Sequence, residues 1–181
     1  MSKFILIASL FFLSSARPVE SIYTHSVTSI EGDNMPLAAY EGKKLLIITL
    51  PIQQSAPNDS LLHSLDSLSG LYSASLKIIA VPSFEDGYTV ALRAGLTQWY
   101  RSILSPDVLV TEGVYTRKTS GSQQHPLFKW LCSKEKNGHF NNDVAGPAYK
   151  FVVWNNGELT GVLESLTRIK SNALNDLLET Q

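Results

Sequence analysis

Chemistry in this chain has few places to happen. One is the polar run Gln53-Gln54-Ser55-Ala56-Pro57-Asn58, which follows the unbroken apolar stretch Leu45–Leu50 and Pro51. An apolar run of that length without polar alternation reads as a strand covered on both faces. The loop at its carboxyl end, ahead of a helix, is where α/β folds place ligands and reactive groups, because free N–H groups at a helix start favour an anion. A thiolate nucleophile would be stabilised there, yet the loop holds no cysteine. The chain's single cysteine is Cys132, beside Leu131 and on the side of Phe128. A free cysteine in that setting reads as a small apolar core residue, and burial raises a thiol pKa and makes it inert.

Glu85-Asp86 follows a second apolar run. As an acid–base pair it is weak, since adjacent carboxylates in a loop are usually solvated. The four histidines, His25, His63, His125 and His139, share no metal-ligand spacing such as an i, i+4 pair on one helix, and read as scattered surface residues. No Ser-His-Asp arrangement can be argued from their order.

These residues must be positioned by one domain. The chain has 181 residues, 15 basic and 16 acidic side chains and a net charge of −1, so one full core is possible and a basic nucleic-acid footprint is not. The N-terminus reads as a signal peptide over 1–16. Lys3 is a short positive region, Phe4–Leu13 is apolar, and Ser14-Ser15-Ala16 supplies small residues for cleavage after Ala16. The apolar run is short of the ~20 residues a membrane span needs, and no cysteine follows it to carry a lipid. The expectation is an exported protein, periplasmic or secreted, with no membrane span after cleavage and a mature domain over 17–181. One cysteine excludes an intramolecular disulfide, so packing alone must hold the core.

Residues 21–40 read as a small hairpin turning at Glu31-Gly32-Asp33-Asn34. Asn58 or Asp59 is a candidate cap for a helix carrying Leu61, Leu62, Leu65, Leu68 and Leu71. Leu76–Val81 is a second buried strand, giving a βαβ unit with parallel strands. Thr89 can cap a helix to about Leu104 with Val90, Leu92, Leu96, Trp99, Tyr100 and Ile103 on its apolar side, and Ser105-Pro106 stops it. Residues 107–111 form a third strand, Gly113–Gln124 a polar surface loop, and His125-Pro126 opens a helix ended by Gly138. Tyr149–Trp154 and Leu159–Leu163 pair through Asn155-Asn156-Gly157. Ser171–Glu179 closes the chain as a helix with Ala173, Leu174, Leu177 and Leu178 apolar. Periodicity supports an α/β class.

Four stretches carry a family resemblance. SIYTHSVTSIEGDNMPLAAYEGKKLLIITLP, with its Tyr-x-Gly-Lys step, resembles the N-terminal signature of the glutathione peroxidases. LKIIAVPS looks like that family's second strand, HPLFKWLCSKEKNG is similar to the helix before its last hairpin, and YKFVVWNNGEL resembles the hairpin itself. The similarity runs through most of Ser21–Leu178 in order and spacing. It implies a thioredoxin-like three-layer sandwich with the peroxidase-type N-terminal hairpin and a central insertion.

The resemblance also implies a hydroperoxide-reducing site, in which a cysteine or selenocysteine after the first strand is assisted by a glutamine, a tryptophan and an asparagine. Carried over by position, the nucleophile falls at Gln54, or at Ser55 with a one-residue slip. The glutamine falls near Thr89, and the tryptophan and asparagine at Gly146 and Pro147. Neither an amide nor a hydroxyl cycles between oxidised and reduced forms as sulfur does. Thioredoxin-like proteins outside the peroxidases often carry a cis proline before this strand, so Pro147 is a candidate cis residue against the trans base rate. Gln53, Gln54, Ser55, Glu85, Asp86 and Tyr88 are expected to line a polar cleft able to bind a small ligand or peptide.

Two functions follow. One is a degenerate peroxidase relative that binds a small ligand or an envelope protein without a cofactor. The other is a divergent thiol peroxidase using Cys132, with glutathione or thioredoxin as reductant.

Overall fold

The computed structural model describes residues 19–179. The expected signal peptide and its cleavage point lie outside them. Two strands, β1 (Ser26–Thr28) and β2 (Asn34–Pro36), form the N-terminal hairpin. A five-stranded sheet follows, built from β3 (Lys44–Leu50), β4 (Leu76–Pro82), β5 (Leu109–Val110), β6 (Lys150–Val153) and β7 (Leu159–Leu163). Its order is β5-β4-β3-β6-β7, with β3, β4 and β5 mutually parallel and β6 and β7 antiparallel additions.

β3 lies at the centre, and Leu45 through Leu50 are all buried. Alternation sends Leu46, Ile48 and Leu50 to one face and Leu45 and Ile47 to the other. The first face is covered by α1 (Ala56–Leu71), α2 (Arg93–Arg101) and α5 (Asn172–Glu179), through Leu62, Leu65, Tyr100, Leu174 and Leu178. The second is covered by α3 (Pro126–Leu131) and the N-terminal hairpin, through Phe128, Trp130, Leu131, Ile22 and Val27. The short α4 (Lys134–Asn137) follows α3. Three layers and two apolar clusters result.

Several local expectations need correction. The cap of α1 is Ser55, not Asn58 or Asp59: its Oγ accepts from the Asn58 N–H at 3.4 Å, and Ala56 and Pro57 are already helical. Proline suits the first turn because its missing N–H would have no partner there. Leu71 turns outward and is 74% exposed. The helix expected from Thr89 begins as a 3-10 turn over Val90–Leu92, and Val90 and Leu92 face solvent. In α5, Ala173 is exposed. The helix expected up to Gly138 is two pieces: α3 stops at Cys132, and α4 ends at Gly138, whose φ of 82° is the left-handed cap conformation glycine favours.

The run 113–124 is not a loose surface loop. Val114 pairs in parallel with Ser83, Thr116 and Gln124 are buried, and Lys118–Gln123 forms 3-10 turns. A β-carbon built on Gly113 would lie 2.0 Å from Cδ1 of the buried Tyr88 ring. Gly113→Ala is therefore expected to overpack this junction and cost about 1–3 kcal/mol, read as a lowered urea midpoint with an unchanged m-value.

Candidate functional site

The carboxyl ends of β3 and β4 and the amino end of β6 meet at one edge of the sheet. Leu50 opposite Pro82 sets residues 51–55 beside residues 83–89. Ile52 closes the gap, its Cδ1 only 3.2 Å from a β-carbon built on Gly87. The Thr49 hydroxyl, buried inside β3, donates to the Gly146 carbonyl at 2.7 Å and accepts from the Tyr149 N–H at 2.9 Å, which ties in the segment before β6. Behind this corner Tyr100 donates to the Pro51 carbonyl at 2.7 Å, and Trp99 Nε1 donates to Asp59 at 2.7 Å.

The fold thus brings the five positions implied by the resemblance to one end of the sheet without joining them in a catalytic set. Gln54 is exposed, and its side chain has no hydrogen-bond partner among the described residues. Ser55 is exposed and commits an oxygen lone pair to the helix cap. Thr89 is exposed, with no side-chain cap bond. Gly146 is buried and contributes a carbonyl, while Pro147 is exposed. There is no cis peptide bond among the described residues, so Pro147 is trans, contrary to the expectation. The unusual backbone lies next to it instead: Ala148 has φ of 62°, a left-handed conformation that costs a residue with a β-carbon about 1 kcal/mol or more. It is held by its N–H on the Thr49 carbonyl at 2.7 Å and by Lys150 Nζ on its own carbonyl at 2.6 Å.

Of the residues expected to line a polar cleft, Gln53, Gln54 and Ser55 are exposed, Glu85 and Asp86 half-buried and Tyr88 buried. Tyr88 is buried, and Phe84 stacks on Tyr115 and meets Tyr88 edge-on. Glu85 and Asp86 are half-buried and bonded within the protein rather than left to solvent. Glu85 accepts from Ser83 Oγ at 2.5 Å, Ser120 Oγ at 2.6 Å, the Arg117 N–H at 2.9 Å and the Thr116 N–H at 3.0 Å. Burial alone would raise its pKa, but donors from Ser120, Ser83, Arg117 and Thr116 outweigh that and bring it down to about 2. Asp86 has a side chain only 8% exposed and pairs with Arg117; burial raises its pKa against that pull. Two carboxylates that could have served acid–base chemistry instead fasten the 114–120 segment over the corner.

Cys132 is fully buried in the cluster under α3, on the sheet face opposite α1. Burial, reinforced by the negative charge of Asp143 and eased by Lys118, pushes its thiol up to about 12. Two of the four histidines depart from the expected surface scatter. His63 and His139 are exposed. His125 caps α3 with Nδ1 accepting from the Leu127 N–H at 3.3 Å, and His25 is buried against Trp130 with Nε2 lacking a hydrogen-bond partner. No group of three or more His, Cys, Asp or Glu side chains able to hold a metal ion occurs among the described residues.

With the geometry in place, comparison with known proteins decides the fold. No family model matches the sequence, and no curated protein matches it. Solved structures do. The crystal structure of Trgpx in apo form superposes with a TM-score of 0.64 at 19% identity, covering 88% of this chain and 94% of that one. T. cruzi GPX1 gives 0.61 at 15% identity, covering 88% and 97%. A thiol:disulfide interchange protein of the thioredoxin family from Chlorobium tepidum TLS gives 0.58 at 14% identity, covering 92% and 97%.

The fold is thioredoxin-like. At such identities the likeness carries architecture and leaves activity to the residues of this chain. No helix among the described residues is long and apolar enough to cross a membrane.

Sequence reading missed Lys150 and the Glu85 clasp. A lysine inside the apolar run Tyr149–Trp154 was a visible signal. The clasp had none, because all its donors but Ser83 stand 31 to 35 residues from Glu85 in the chain.

Glu85 has a direct consequence for stability. A carboxyl whose folded pKa lies below its ordinary 4.5 stabilises the fold above that value, and the contribution is lost as pH falls toward about 2. Glu85→Gln should therefore cost about 1.5–3 kcal/mol near pH 7, the range for hydrogen bonds to a charged group. The difference from the parent should shrink between pH 4.5 and about 2, measured by urea unfolding across that window.

Proposed function

We propose that this chain is a catalytically silent relative of the glutathione peroxidases, exported to the periplasm or secreted, that works as a binding module. One observation carries the reading: the only sulfur nucleophile in the chain is sealed in the core on the far face of the sheet from α1. At the corner itself stand an amide and a helix-capping hydroxyl, Gln54 and Ser55. Peroxide reduction by a thiol needs an accessible thiolate that attacks one peroxide oxygen and is later regenerated by a reductant. Neither Gln54 nor Ser55 can enter that cycle. Export is supported by the charge and apolar pattern of residues 1–16.

The test is hydrogen peroxide and cumene hydroperoxide consumption by the purified mature chain, with glutathione or with thioredoxin and its reductase. The expected rate equals that of the protein-free control. Steady consumption that disappears in Cys132→Ala would overturn the proposal and establish the thiol-peroxidase alternative.

A further inference from the structure

A cleft of about 510 Å³ opens between the first half of α1 and the segment linking β7 to α5. Its volume lies in the range of small-molecule sites, ~300–1,000 Å³. Its wall contains no aspartate or glutamate. Two cations line it, Arg168 and Lys170, and neither has a hydrogen-bond or ion-pair partner among the described residues. Three wall hydroxyls, Ser60, Ser165 and Thr167, are likewise unengaged, whereas Ser64 and Asn58 already donate to backbone carbonyls. The nearby carboxylate on α1, Asp59, is held by Trp99 Nε1.

A second feature points the same way. Lys150 is fully buried in β6, and its ammonium meets only carbonyl oxygens, Ala148 at 2.6 Å and Glu164 at 3.4 Å. Ala148 is part of the cleft wall, and Glu164 directly precedes the wall residue Ser165. Burial brings Lys150 down to about 8, with no carboxylate opposing that fall. A buried cation without a counter-charge is costly, and an anion bound in the adjoining cleft would offset that cost. Guanidinium, ammonium and hydroxyl groups together match the three acceptor oxygens and double charge of a phosphate ester. Leu61, Leu166 and Ile169 add apolar wall beside them, and Leu166 is 94% exposed.

We propose that this cleft binds a phosphate monoester attached to a small apolar or aromatic body, with Arg168 and Lys170 gripping the phosphate. The site uses no residue at 53–55, and it stands whether or not the chain reduces peroxides.

The test is a two-dimensional amide NMR titration of the mature chain with phenyl phosphate, inorganic phosphate and benzyl alcohol at constant ionic strength. Phenyl phosphate should give saturable shifts confined to residues 57–64, 148–150 and 165–170, and should bind more tightly than inorganic phosphate. Benzyl alcohol should give no shifts there. R168Q/K170Q should weaken phenyl phosphate about ten-fold or more, the scale of one lost charge-assisted contact. K134Q, which removes an exposed lysine elsewhere, should leave binding unchanged. Any of three results would overturn the proposal: non-saturating shifts spread over other basic residues, equal affinity for the two phosphates, or undiminished binding by R168Q/K170Q.

Discussion

The structure depends on β3 being enclosed on every side. It is paired along both edges, by β4 and by β6, and packed on both faces by helices. Enclosure leaves no water to satisfy a polar group, so each one inside must find a protein partner. Thr49 is such a group, and its hydroxyl joins the backbone bonds that fasten the segment at 146–149 to the strand end. The corner formed there is rigid because each piece is fastened from within: Pro51 by Tyr100, the α1 start by Ser55, the 114–120 segment by Glu85.

Rigidity and reactivity have separated in this chain. The scaffold that brings three strand ends together is present, and the side chains standing there cap, fasten or face solvent. The single thiol went to the opposite layer, where Phe128, Leu131 and Phe151 surround the cluster and ionisation is disfavoured. Two cations without a side-chain partner among the described residues, Arg168 and Lys170, stand instead beside α1, bordering a cleft whose lining holds no carboxylate. Function has more chemical material there than at the strand ends.

How much of this was legible in the sequence follows from the range of the interactions. β3 and β4 were readable because continuous apolar runs have one explanation in an α/β chain. The β6–β7 hairpin was readable because Asn-Asn-Gly has few alternatives. The α1 start was misplaced because Ser55, Asn58 and Asp59 are all good caps, and only the fold decides among them. Glu85 looked like a solvated loop acid because most of its partners come from a segment far along the chain. The cleft was invisible for the same reason: its two walls, at 57–64 and 165–170, lie about a hundred residues apart.

The central claim is that the only thiol is out of reach while the protein is folded. Its most direct measurement is the rate at which a small alkylating reagent modifies Cys132 near neutral pH, in native conditions and in denaturant. A sealed thiol with a pKa of about 12 should react only through opening of the fold, so native labelling should be slower by orders of magnitude and accelerate as denaturant unfolds the chain. Native labelling at the denatured rate would contradict the account.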